Sequence, residues 1–164
     1  MKGNCSGCLS SLGYLVLFGL IGGGLSFWGW TILQDARASA SWPTAEGIVN
    51  SSEVDRSTDG EGGTSYSPEI SYQYLVNDLN YTNNTIKFGE NSYSSRRKAE
   101  EIAAAYPVGR QVAVYYDPLE PDKSVLEPGV TAGSYIVLGI GVLFIGIALI
   151  VAPLTYFFGN RRKG

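Results

Sequence analysis

The only thiols in this sequence stand as Cys5-Ser6-Gly7-Cys8. Two thiolates at that spacing make half of a tetrahedral zinc site. The chain supplies no second half, so another subunit would have to complete an intersubunit metal or redox site. Free thiols without a specific role and, in a eukaryotic cell, lipid modification are the alternatives. There is no histidine, which removes imidazole metal ligands, Ser-His-Asp triads and Cys-His pairs. A Ser–Lys nucleophile would need Lys87, Lys98 or Lys123 as its base, and nothing places a serine beside them. Asp55-Arg56-Ser57-Thr58-Asp59-Gly60-Glu61 imitates the opening of a calcium loop, with oxygen ligands at its first, third and fifth positions and glycine at its sixth. The twelfth position, however, is Tyr66 instead of a bidentate glutamate. An ordinary acidic loop is therefore the expectation. Glu100 and Glu101 follow Arg96 and Arg97 by four residues, a spacing for ion pairs along a helix. These residues lead to the expectation of a non-enzymatic protein without catalytic residues, cofactor or metal site.

What the chain has in quantity is tyrosine, eleven in all, a residue enriched at interfaces because it joins a large apolar ring to a polar end. Alternating strands turn half their residues outward. Tyr81, Tyr93 and Tyr115 are accordingly the candidates for a partner-binding face. The expected partners are membrane lipid and another membrane or envelope protein. The alternative is a domain that senses a small ligand or envelope component. Gly19-Leu20-Ile21-Gly22-Gly23 contains a GxxxG pattern, and Gly22 and Ser26 repeat the small-xxx-small spacing. Packing against a second span that offers Gly139, Gly141 and Gly146 is the expectation, and self-association through Gly19 and Gly23 is the alternative. Binding to nucleic acid is not expected of so acidic a central region. The sequons at Asn50, Asn80 and Asn83 are read as chance.

The elements that must carry these residues begin with two uncharged stretches, Leu9 to Leu33 and Pro128 to Asn160. About 20 apolar residues in a helix cross a hydrocarbon core of roughly 30 Å, so both are expected to span a membrane. All fifteen acidic residues fall between Asp35 and Glu127 with eight basic ones, a net of −7. Lys2 and Arg161-Arg162-Lys163 hold the ends at +4. Short basic flanks stay in the cytoplasm, which predicts both termini inside and the middle domain outside. Trp28, Trp30 and Tyr135 suit the outer interface, and Tyr14 and Tyr156 the inner one. The small-x-small patterns at residues 36–38 and 38–40 fit signal-peptide cleavage, but the first apolar stretch is longer than a cleaved signal's, so an uncleaved anchor is expected.

The fold expected is an α+β membrane protein, two transmembrane helices flanking a small antiparallel β-rich domain with one helix. Its parts are an N-tail at 1–8, spans at 9–33 and 134–158, the domain at 42–129 and a basic tail at 159–164. Strands are predicted at 46–54, at 69–76 with Ile70, Tyr72, Tyr74 and Val76 on one face, at 80–88 and at 111–116, with a last short one at 124–126. Residues 55–67 read as a loop and Asn77-Asp78 as a two-residue turn. A helix runs from a cap at Ser94 or Ser95 to Tyr106 and turns Ala99, Ile102, Ala103 and Tyr106 to one face. Ile48, Ile70, Tyr72, Tyr74, Ile102, Tyr106, Val112 and Val114 form the expected core.

Several of these segments share a pattern. Trp42-x-Thr44-x-Glu46-Gly47-Ile48-Val49, Tyr66-x-Pro68-x-Ile70-x-Tyr72-x-Tyr74, Tyr106-Pro107-Val108-Gly109, Val112-x-Val114-Tyr115-Tyr116-Asp117-Pro118-x-x-Pro121 and Ser124-Val125-Leu126-Glu127-Pro128-Gly129 together resemble the bacterial Domain of Unknown Function 3592 family. The resemblance covers Trp42 to Gly129. It implies a membrane-anchored β domain in a bacterial inner or plasma membrane, and it carries over no functional residue.

Overall fold

The structure, a computed structural model, describes residues 6–58, 60 and 62–161. In chain order its elements are α1 (Ser6–Ser39), β1 (Thr44–Thr58), β2 (Thr64–Val76), β3 (Leu79–Asn83), α2 (Arg96–Ala105), β4 (Gln111–Tyr116), β5 (Ser124–Val125) and α3 (Gly133–Arg161). The chain is α+β, with three helices and one antiparallel sheet of order β3-β2-β1-β4-β5 among the described residues. α1 and α3 precede and follow the sheet in sequence, and each is long and apolar enough to cross a membrane.

The chain divides into two compact units. One comprises the described residues up to Thr31 and from Tyr135 onward; the other is Ile32–Ser134. In the helical unit, α1 and α3 touch through small residues, as close approach between apolar helices requires. A Cβ on Gly22 would lie 2.8 Å from the Ile145 side chain, and one on Gly141 would lie 2.5 Å from the Ser26 nitrogen. Gly29 is closed in the same way by the Leu138 backbone. Phe18 stacks on Phe144 at 5.9 Å. The seam therefore runs through Gly22, Ser26 and Gly29. Gly19 and Gly23, by contrast, have nothing within 4 Å, and nor do Gly139 and Gly146, so of the three glycines expected to receive α1 only Gly141 does so.

In the sheet unit, the alternation of β2 sets the core. Ile70, Tyr72, Tyr74 and Val76 are buried on one face, where Val49, Val114, Ile86 and Leu126 join them. Ile102, Tyr106, Val112 and Tyr116 pack around this cluster half-buried, and α2 lies over it through buried Ala99. Tyr72 buries its ring and donates its hydroxyl to the Thr85 carbonyl oxygen at 2.8 Å, with the Ser124 hydroxyl at 3.2 Å. Tyr74 reaches the Pro121 carbonyl oxygen in the same way. Asn77 (φ 51°) and Asp78 (φ 63°) make the tight turn between β2 and β3.

Four expectations need correcting. Ile48 is not in the core but 43% exposed. Gly47 and Val49 take the inner positions opposite Tyr74 and Tyr72, and a bulge at Asn50 then shifts the register, so that Ser52 and Val54 face inward. Counting parity back from Val54 without that bulge puts Ile48 inside. Residues 55–67 are not all loop. β1 and β2 continue as a two-stranded ribbon through Asp55↔Ser67 to Thr58↔Thr64, held by cross-strand hydroxyl neighbours whose local composition resembles a loop. β3 ends at Asn83 instead of reaching Phe88, because the Asn83 Oδ1 accepts the N–H groups of Asn84 and Thr85 and turns the chain away. Ser95 precedes α2 in an extended conformation, yet its side chain makes no cap hydrogen bond.

The unit's two ends are tied together. The Gly129 N–H donates to the Ser39 hydroxyl at 2.9 Å, and Lys123 pairs with Asp35 at 2.6 Å. Trp42 meets Phe88 edge-on, and the Ser134 hydroxyl donates to the Phe88 carbonyl oxygen at 2.8 Å.

Candidate functional site

One face of the sheet carries α2 and the core; on the other, within the sheet unit, most side chains of β1 and β2 are exposed. On that outer face β1 sets Glu46, Ile48, Glu53 and Asp55, β2 sets Glu69, Ser71, Gln73 and Leu75, and β4 sets Ala113 and Tyr115. Ile48 is opposite Gln73, and Leu75 lies two residues further along β2, so the two aliphatic side chains are diagonal neighbours, both about half exposed. Asn50 at the bulge donates to the Gln73 side-chain oxygen at 3.4 Å. The surface is polar and acidic with a small apolar centre.

The three candidate tyrosines do not share this surface. Tyr81 is opposite Tyr74 on the inner face and stacks on it at 5.8 Å. Tyr93 forms an isolated bridge with Tyr66 and points its hydroxyl toward Glu90 at 3.4 Å; burial, then the Glu90 charge, raises its pKa. Only Tyr115 belongs to the outer face, half-buried between Thr44 and Val125. Alternation separates Tyr81 from Tyr115 only when each strand's register is known.

The remaining chemical candidates are placed as follows. Cys5 lies outside the described residues, and Cys8 is in α1 with its side chain likewise undescribed. Asp59 and Glu61 of the calcium-like segment also lie outside them, while Asp55 to Thr58 are strand. Lys87 pairs with Glu127 at 2.8 Å. The hydrogen bond to that carboxylate raises its pKa, the opposite of what a lysine base needs. Lys123 is held by Asp35, and Lys98 is exposed on α2. Arg96–Glu100 and Arg97–Glu101 form the expected helical pairs at 2.7 and 2.6 Å. A cleft of about 130 Å³ opens between Pro68, Glu69, Asn84, Thr85, Glu90 and Asn91, and its lining is mostly polar.

A feature that reading residues 55–67 as loop conceals is the free edge of the ribbon. Opposed residues in an antiparallel pair alternate between those that exchange both main-chain hydrogen bonds and those whose N–H and C=O point away. Tyr66, opposite Arg56, exchanges both bonds with Tyr93 instead, each at 2.8 Å. Pro68, opposite Val54, has no N–H to give. Val54 and Arg56, and by the same alternation Thr58, therefore direct their main-chain groups away from β2. The β4 ladder ends at Ile48↔Gln111, and Gly109 and Arg110 take the groups of Val49. Among the described residues, no strand meets β1 from Glu53 to Thr58 on that side.

Residues 45–131 match the model of a family described as a domain of unknown function, DUF3592. No curated protein matches the chain.

Proposed function

The chain belongs to the DUF3592 family, and from that premise we propose that it is a membrane-anchored, non-enzymatic interaction module whose sheet unit contacts another membrane or envelope protein. The outer face of the sheet carries this reading: Ile48 and Leu75 lie exposed and adjacent on an otherwise polar surface, with Tyr115 on the same side. A small apolar centre with a polar rim is the anatomy of a protein interface. In this reading both spans are membrane-embedded, the termini are cytoplasmic and the sheet unit is outside. Both small-x-small patterns fall at the end of α1 where Ala36 and Ser39 are fully buried, which supports an uncleaved anchor. Gly19 and Gly23, open on α1, are the residues through which self-association would occur.

The test is substitution of Ile48→Glu with Leu75→Glu, followed by co-purification from membranes in mild detergent. Loss of a partner recovered by the wild type, with the unfolding midpoint unchanged, is the expected result. Retention of the same partners places the contact elsewhere. The polar cleft between Glu69 and Glu90 favours the alternative, sensing of a small polar ligand, and Glu90→Gln is its probe.

A further inference from the structure

The open edge of β1 narrows the kind of partner that the interaction reading requires. Val54, Arg56 and Thr58 offer main-chain donors and acceptors in the spacing of a strand, which is the template for addition of another extended chain. Glu53, just before Val54, and Asp55, between Val54 and Arg56, project onto the outer face, where Glu69 lies opposite Glu53. Among the described residues none of these three carboxylates has an ion pair, and Arg56 projects to the other face.

A second copy fits this edge poorly. Antiparallel self-pairing centred on Val54 sets Glu53 against Asp55; one residue further sets Asp55 against Asp55; centred on Arg56 it sets Arg56 against Arg56. Like charges directly opposite are destabilising in a sheet. The same charges welcome a strand of opposite sign.

We infer that a partner protein's extended segment adds to β1 along Glu53–Thr58, and that this segment carries Lys or Arg at two alternate positions facing Glu53 and Asp55. This rests on the interaction reading above and specifies its chemistry. Main-chain bonds from Val54, Arg56 and Thr58 supply the pairing, and the two cations select the sequence.

The experiment uses the full chain in detergent micelles and a peptide of about ten residues, an ordinary strand length, alternating Lys and Val. Hydrogen exchange is read at the amides of Val54, Arg56 and Thr58. With peptide at about ten times its dissociation constant, exchange at these amides slows about tenfold, while a Glu–Val peptide has no effect. Glu53→Lys with Asp55→Lys exchanges the two preferences. Unchanged exchange, protection that survives charge reversal, or protection that rises with the concentration of the protein alone overturns the assignment, the last because a second copy then holds the edge. Co-purification separates the two readings. A charge-reversed chain that keeps the wild-type partners overturns the edge and leaves the interaction reading standing; a wild-type chain that recovers none overturns both.

Discussion

Tyr72 illustrates how one side chain can tie distant segments together. Its buried hydroxyl holds the Thr85 carbonyl oxygen and the Ser124 hydroxyl, and burial pushes its pKa well above the ordinary value. Tyr74 is raised by burial as well, and Tyr106, first by burial and then by the Glu127 carboxylate, is pushed up to about 12. A group whose folded pKa lies above its unfolded value stabilises the fold fully below the unfolded pKa, near 10 for tyrosine, and loses that contribution as pH rises through the folded value. Denaturant unfolding should therefore be insensitive to these groups up to about pH 9, and the sheet unit should weaken progressively between pH 10 and 12. Tyr106→Phe should flatten that decline. At neutral pH, Tyr72→Phe should cost about 1 kcal/mol for its lost hydrogen bonds. Gly47 makes a sharper test of packing, since a Cβ there would lie 2.6 Å from the Val114 side chain and 2.9 Å from the Gln73 carbonyl oxygen. Gly47→Ala should cost roughly 1–3 kcal/mol by overpacking, although glycine is ordinarily the weaker strand residue.

At the scale of elements, the period-2 pattern decides more than composition does. Ile70→Ala should lose about 2–5 kcal/mol in chemical denaturation, whereas Gln73→Ala and Ile48→Ala, both on the outer face, should lose under about 1 kcal/mol. Equal losses at Ile70 and Ile48 would place the bulge elsewhere. That contrast also marks what could be read from residues alone. The inner face of β2, the Asn77-Asp78 turn, the apolar side of α2 and the extent of β4 are all written in local patterns. The Asn50 bulge is not, since nothing in Val49-Asn50-Ser51 announces an extra residue and its effect is visible only in the pairing with β2. The ribbon past Val54 is equally silent, because serine, threonine and aspartate form strand there only through their partners. For that reason composition alone makes most of the free edge look like loop, and it cannot tell that the register divides the tyrosines between two faces. In the helical unit, Gly141→Leu should separate α1 from α3 and lower the thermal midpoint in detergent, whereas Gly139→Leu, with open space around it, should not.

For the molecule as a whole, orientation is the first question to settle. Single cysteines at Ser57 and at Gly164, in a chain with Cys5 and Cys8 replaced by serine, should differ in labelling by an impermeant reagent on intact cells. Ser57 should react and Gly164 should not; the reverse pattern would invert the proposed topology. The hydrogen bond from Gly129 to Ser39 joins residues 90 apart in sequence, and it has a consequence for synthesis and transplantation. The meander β1–β2–β3 is built from neighbours and can assemble as soon as it emerges, but β4 and β5 must wait before adding to the other side of β1. Closure at Ser39 then comes last, when the stretch leading to α3 has been made. Once closed, the sheet unit begins and ends at one point, so it is a cassette: excised at that point, or set between another pair of helices, it requires no stretching of its chain to fit.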